Sequence, residues 1–191
     1  MKRGWFAWMV GLAVIAAPWV SSSAQEKPPV WLVTGAQAVL TDGIAGSAPR
    51  GIMKNPAPGM IFVVVSAEIA PASETPQPVD VGDIELMGRS ESNGELIEWD
   101  VVLLGIDNVP LDGVCSSYMF PEDFMSGEVS VQAVGGGRIT LSREKAGKPA
   151  LLSIDRSPAR LCFAFAVARR PLGDMRFRFG DSEIDLPAPE R

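Results

Sequence analysis

The chain has 191 residues, with 17 basic and 23 acidic side chains, a net charge of −6 and no histidine. This acidic balance argues against nucleic acids and anionic membranes as partners, because both are bound through clustered Lys and Arg. The absence of histidine removes the commonest general base and the commonest nitrogen ligand of metal ions. Hydrophobic residues make up 47% of the chain, which is enough for an apolar core.

The N-terminal segment has the pattern of an export signal. Lys2 and Arg3 form a basic start, an uncharged apolar run of 16 residues covers Trp5 to Val20, and Ser21 to Ala24 supply small residues for cleavage. The run is shorter than the roughly 20 residues that a spanning helix needs. An uncleaved signal anchor is the alternative. We expect removal of residues 1–24 and export to the periplasm or the medium, without a membrane span.

The remainder predicts one all-β domain. We expect a mobile leader at 25–29, an antiparallel immunoglobulin-like sandwich of about eight to ten strands at 30–187, and a tail at 188–191. Short segments of alternating polarity at turn spacings favour this sandwich over a closed barrel. The segments include Val30 to Leu40, bent at Gly35, then Gly59 to Ile69, Val79 to Gly88, Glu95 to Ile106, Glu128 to Val134, Arg138 to Arg143, Leu151 to Asp155 and Met175 to Phe179. The polar stretch Arg89 to Gly94 predicts a turn.

The strand predicted from Pro158 to Arg169 has one large face and one small face. Leu161 to Val167 place leucine, phenylalanine and valine on one side at period two, while Cys162 and three alanines alternate with them. Large residues indicate a face on the core, and small ones indicate that another segment packs closely against the back. We expect the large face to lie against Gly59 to Ile69, across the sandwich or beside it, and Met175 to Phe179 to be its hairpin partner.

The two cysteines, Cys115 and Cys162, predict a disulfide in an exported protein. In the chain-entropy model such a bond contributes about 3–4 kcal/mol. Two buried free thiols are the alternative. A metal site is least favoured, because two cysteines without histidine give too few soft ligands.

The motifs of nucleophilic catalysis and phosphate binding are missing. The stretch nearest to a G-x-S-x-G elbow, Gly88 to Ser92, ends in serine instead of glycine. A Ser–Lys dyad would have to use Lys145 or Lys148, which lie beside Gly and Pro turns. Gly135 to Gly137 lacks the Lys-Ser/Thr of a phosphate loop and reads as a hairpin turn. We therefore expect no catalytic residues, no cofactor and no metal.

Paired carboxylates are the remaining candidates for chemistry. Such pairs perform glycoside hydrolysis or bind Ca²⁺, but no D-x-[DN]-x-[DN]-G loop accompanies them. The favoured interpretation is a solvated strand face. The pairs are Asp83/Glu85, Glu98/Asp100, Glu122/Asp123 and Glu183/Asp185.

Two groups of side chains are candidates for a ligand or partner surface. Tyr118, Phe120 and Phe124 follow Cys115 and form an aromatic cluster; alternatively this loop lies over one end of the core, pinned by the disulfide. Arg176 and Arg178 form a positive stripe able to hold a carboxylate; alternatively they pair with acidic neighbours on an outward strand face.

Several strand patterns carry a family resemblance. Gly59 to Val65 places glycine before a long apolar strand, and Gly127 to Val129, Leu161 to Phe165 and Met175 to Phe177 follow in order. Between Trp31 and Pro187 the chain resembles the bacterial secreted immunoglobulin-like sandwich family that includes the mycobacterial immunoprotective extracellular protein. The resemblance implies an exported β-sandwich and no shared catalytic residues.

We expect an exported, non-enzymatic binding or interaction module of the bacterial envelope, whose partner is a protein or polymer. One alternative is a glycan-binding or glycan-active sandwich, suggested by Trp31, Trp99 and the carboxylate pairs. Another is a structural subunit of an envelope assembly that recruits a neighbour through an exposed edge strand. The oligomeric state stays open.

Overall fold

A computed structural model describes residues 30–46, 53–73, 77–92, 95–108, 115, 118–132, 138–155, 158–170, 172–187 and 189. Within these ranges the protein consists of β-strands and two short 3₁₀ turns, and it has no α-helix. The predicted all-β class is therefore confirmed. The expected signal, leader and most of the tail, at 1–29, 188 and 190–191, lie outside the described residues.

Fourteen strands are present in the described ranges, more than the eight to ten expected, because three of them have only two residues and two predicted segments are divided. They are β1 Trp31–Thr41, β2 Ile44–Ala45, β3 Met53–Lys54, β4 Met60–Pro71, β5 Val79–Asp80, β6 Ile84–Ser92, β7 Glu95–Val102, β8 Gly105–Asn108, β9 Gly127–Gln132, β10 Arg138–Arg143, β11 Leu151–Asp155, β12 Ala159–Ala168, β13 Met175–Phe179 and β14 Ser182–Leu186.

The strands form three antiparallel four-stranded sheets and one small pair. The first sheet has the order β1-β4-β12-β8, the second β5-β11-β10-β9 and the third β14-β13-β6-β7, while β2 pairs with β3. The ends of the described sheets are therefore β1 and β8, β5 and β9, and β14 and β7.

The longest ladder joins β4 and β12 in the centre of the first sheet. It runs from Ala159 opposite Ile69 to Ala168 opposite Met60, so the strands predicted from Gly59 to Ile69 and from Pro158 to Arg169 lie beside each other. β1 covers the other side of β4, and its register shifts between Thr34 and Gln37. Gly35 has φ +59° there, where glycine has no steric penalty. The predicted bend of this strand is thus present.

One apolar core contains buried side chains from all three four-stranded sheets, and phenylalanines are at its centre. The ring of Phe163 on β12 lies 4.9 Å from that of Phe177 and 5.8 Å from that of Phe179. All three side chains are fully buried. Strand β13 was expected as a hairpin partner of β12, and this expectation was wrong: β13 pairs with β6 and β14. The aromatic faces of β12 and β13 meet across the core instead.

The small face of β12 is covered by a second apolar cluster. Cys162 and Ala164 pack there with Phe62, Tyr118 and Phe120. The alanine face therefore does receive a closely packed segment, as predicted. Cys115 and Cys162 lie at disulfide distance, with their Cα atoms 6.3 Å apart, which is within the usual range for this bond.

Two predicted strands are divided in the structure. The segment Glu95 to Ile106 is two strands in different sheets, because the Leu103 amide donates to Ile84 in the third sheet while the Leu104 amide donates to Ala164 in the first. Between β5 and β6, a 3₁₀ turn at Val81–Asp83 interrupts the segment Val79 to Gly88.

The predicted turn from Arg89 to Gly94 is largely strand. Arg89 to Ser92 extend β6, and each is paired with a residue of β7. Arg89 is exposed and Ser90 is buried, so a run of polar residues does not by itself separate a paired hairpin strand from a turn, which explains the error.

The described part of the chain contains no helix long and apolar enough to cross a membrane.

Candidate interaction surfaces

The predicted arginine stripe lies on the outer face of the third sheet and is paired with carboxylates. Arg176 on β13 donates from Nε to Asp185 at 3.0 Å and from Nη1 to Glu183 at 3.1 Å. These hydrogen bonds raise the pKa of Arg176 above its usual range. Arg178 is half-buried and pairs with Glu85 of β6. The structure therefore places this stripe in ion pairs of the protein itself, which matches the alternative of a paired outward face.

The aromatic segment after Cys115 is mostly inside the molecule. Tyr118 is 2% exposed and Phe120 8%, whereas Phe124 is half-buried. The ring of Phe120 lies against Gly105 of β8, where a Cβ atom would come within 2.9 Å of Phe120 Cδ1. As they stand, Tyr118 and Phe120 do not offer a surface to a ligand, because their rings seal the back of the first sheet.

The ammonium group of Lys54 contacts the outer side of this aromatic segment. Lys54 Nζ lies 3.8 Å from the centre of the Phe120 ring and 3.1 Å from the carboxylate of Asp123, with Glu122 at 3.6 Å. The ammonium group thus combines a cation–π contact with two ion pairs. The Glu122/Asp123 pair is engaged in fixing the loop.

The buried hydroxyl of Tyr118 has an unusual environment. Burial raises its pKa far above the usual value, and the negative charge of Asp107 raises it further. Asp107 is itself 5% exposed and lies opposite Cys162 in the ladder between β8 and β12. Tyr118 is therefore held in its neutral form, as a structural group of the second cluster.

A groove of about 750 Å³ lies at one end of the third sheet, around Trp99. Its lining includes Trp99, Arg89, Arg176 and several acidic residues. Arg89 pairs with Glu98 at 3.1 Å, and both are exposed. The acidic side chains of the lining are Glu98, Asp100, Asp174 and Asp185. The Glu98/Asp100 pair of the sequence thus meets two further carboxylates here.

The position of Trp99 depends on a glycine on the neighbouring strand. Gly88 of β6 lies directly opposite Trp99 of β7, and a Cβ atom at Gly88 would come within 2.3 Å of Trp99 Cζ2. The indole therefore covers the bare backbone of Gly88, a cross-strand pairing that protects glycines in sheets. Trp99 is half-buried, whereas Trp31 is 2% exposed and packs edge-on against Phe179 at 5.5 Å. The groove around Trp99 includes Trp99 in its lining, whereas Trp31 lines neither this groove nor the one where β1 ends.

A second groove, of about 540 Å³, lies where β1 and β12 end and β4 begins. Its floor is formed by Leu40, Ile61 and Leu172, and its rim carries Arg169 and Arg170. Arg169 forms an ion pair with Asp42. In the described ranges no group of three or more Cys, Asp and Glu side chains is placed to hold a metal ion.

The most open element of the described structure is the edge strand β9. It pairs along its whole length with β10, and no other described strand pairs with it. Five of its six residues are exposed, including Val129 at 39%, although Val129 is on the face that continues toward the core. Met125, two residues before the strand, is 63% exposed. An open edge with apolar side chains beside it is a template for pairing with another strand.

The sequence predicted β9 as a strand without predicting its place at a sheet edge. One signal was available: three of its six residues are Glu128, Ser130 and Gln132, alternating with small or apolar ones. The core-facing strand β10 has the same alternation, so polarity alone does not separate an edge from a centre. The groove at Trp99 was missed for a similar reason, since the pairing of Gly88 with Trp99 depends on the hairpin register.

Comparison of the chain with protein-family models, with curated proteins and with solved structures gives no match. A functional assignment therefore depends on the residues of this chain and their geometry.

Proposed function

We propose that this protein is an exported interaction module of the bacterial envelope, without catalytic activity of its own, and that it binds its partner through the edge strand β9. The observation that carries the proposal is the exposure of β9 on its outer edge and on both faces. Backbone N–H and C=O groups on such an edge give affinity to an added strand, and alternate side chains give specificity.

Export is supported by two independent features. The basic and apolar start of the chain has the pattern of a cleaved signal, and a disulfide between Cys115 and Cys162 is compatible with an oxidising compartment. The resemblance to secreted immunoglobulin-like sandwiches is compatible with the antiparallel sheets and with the core between them. We extend that resemblance here to an immunoglobulin-like identity of the domain.

Site-specific photo-crosslinking in the envelope tests the proposal. A photoreactive phenylalanine analogue at Val129 is expected to form crosslinked products in intact cells. The same analogue at Val102, which is 54% exposed on the edge strand β7, is the matched control. Equal crosslinking at both positions, or none at Val129, would contradict binding through β9.

A glycan-binding function is the second candidate, and the groove at Trp99 favours it. The carboxylates and arginines of this groove offer hydrogen-bond partners for a sugar, and Trp99 borders them. Calorimetry with soluble peptidoglycan fragments should then show binding that Trp99→Ala abolishes and that Val129→Lys leaves unchanged. Absence of heat with the unaltered protein at millimolar fragment would dismiss this candidate.

A further inference from the structure

We propose that β9 pairs antiparallel with β9 of a second copy of this chain, around a twofold axis at Ser130. This inference rests on the proposed function, because it names the partner of the same edge strand. In this dimer the second sheet of each copy joins that of the other, and together they form one continuous sheet of eight strands. Such an isologous contact is closed, since each copy uses the same surface.

Among the ends of the described sheets, β9 is the one suited to a second copy, and β5, at the other end of the same sheet, has only two residues. β1 is adjacent to β14 at the corner of two sheets, and β8 is bridged by Met119 through Ile106. The edge of β7 is open, but Glu98 and Asp100 are exposed on one face of it. Two such strands would bring four carboxylates onto one patch, and like charges across a sheet are destabilising. β9 carries a single charge, at Glu128.

The register around Ser130 brings compatible side chains opposite each other. With Ser130 opposite Ser130 of the second copy, Val129 lies opposite Val131 and Glu128 lies opposite Gln132. The valine pairs extend the apolar face of the second sheet and cover Val129, which is 39% exposed in the single chain. The Glu128 carboxylate faces an uncharged side chain, so this pair brings no like charges together.

The same register also brings oppositely charged side chains of the two copies near each other. Gln132 is opposite Arg138 within one chain, and Arg138 is exposed on the face that carries Glu128. Each Glu128 would therefore lie two strand positions, about 10 Å between strand axes, from Arg138 of the second copy. Extended side chains of these types bridge that separation. A dimer contains this contact twice, once on each side of the axis.

Charge reversal at the two positions is the sharpest test. Sedimentation of the purified exported protein up to about 100 μM should show a reversible dimer. Glu128→Arg and Arg138→Glu should each raise the dimer dissociation constant about tenfold, because each sets like charges together twice. An equimolar mixture of the two variants should dimerise as the unaltered protein does, since both contacts again join opposite charges.

A cysteine placed at the axis gives a second, independent readout. Ser130→Cys should form an oxidised dimer readily, because directly opposite residues have their Cβ atoms about 5 Å apart. The matched control is Ser153→Cys, on the interior strand β11 of the same sheet, which should not crosslink. Val129→Lys should abolish the dimer, whereas Val102→Lys on β7 should not change it.

Failure of this inference is distinguishable from failure of the proposed function. A protein that stays monomeric to about 100 μM, with equal oxidation of the Ser130→Cys and Ser153→Cys variants, overturns the dimer. Reversal variants that fail to restore dimerisation when mixed overturn the register. Heterologous crosslinks from Val129 in the envelope would keep the proposed function even if the dimer is refuted.

Discussion

Removal of the disulfide should cost this protein a large part of its stability. The perturbation is the double variant Cys115→Ala/Cys162→Ala. Alanine is preferred to serine because Cys162 is 2% exposed within the second apolar cluster, where an unpaired hydroxyl would add its own penalty.

The magnitude follows from the length of the loop that the bond closes. Cys115 and Cys162 are separated by 47 positions, for which the chain-entropy relation gives about 4 kcal/mol. For a domain of this size each kcal/mol corresponds to about 2–4 °C in the melting temperature. The double variant should therefore melt about 8–16 °C below the parent.

Urea unfolding of both proteins is the assay. The midpoint should fall, and the dependence of the free energy on urea should steepen, because an unfolded chain without the crosslink exposes more surface. Reduction of the parent by dithiothreitol should reproduce both changes. A melting temperature lowered by less than about 3 °C would refute the reasoning, since the loop constraint would then contribute little.

Three further predictions concern the core, the buried phenol and the groove. Phe163→Ala should lower the free energy of unfolding in urea by about 3–5 kcal/mol, and the half-buried Phe124→Ala by less than half of that; equal losses would contradict a core centred on Phe163. Stability should fall as the pH rises above about 10, by at most 1.4 kcal/mol per pH unit, because the unfolded chain releases the proton of Tyr118 while the folded chain retains it. Tyr118→Phe should remove this slope, and phenolate absorbance checks it directly because Tyr118 is the only tyrosine; a titration near pH 10 in the folded protein would disagree. Gly88→Ala should cost about 1–3 kcal/mol by displacing the Trp99 indole and should shift its fluorescence, whereas the same substitution in a Trp99→Leu background should cost less than half as much.

The sheet switch after β7 explains why the predicted strand pattern was only partly correct. Leu103 and Leu104 look alike in the sequence, yet their amides donate to different sheets. Alternation of apolar residues indicates that a segment is extended, but it carries no information on which neighbour accepts its hydrogen bonds. That choice is made by the packing around Ile84, which lies 19 residues before Leu103, and around Ala164, which lies 60 residues after Leu104.

For the candidate interaction surfaces as well, the sequence predicted which residues form a segment, and the structure determined where their side chains point. The sequence correctly predicted an aromatic segment next to Cys115, but only the tertiary structure determines that Tyr118 and Phe120 face inward. Their burial depends on the bare backbone of Gly105 and on the small side chains of β12, which leave room for the rings. Conversely, the exposed edge β9 is visible only once its one neighbour, β10, is known.

The sequence by itself determined the all-β class, the bend at Gly35, the two-faced strand from Pro158 to Arg169 and the pairing partners of the two cysteines. These features depend on local alternation, on glycine or on the parity of two residues, all of which are readable along the chain. The tertiary structure alone decided the sheet order, the pairing of the arginine stripe with carboxylates, and which strand ends the second sheet. Those properties arise from contacts between distant segments, whose free energy depends on the packing of the whole core.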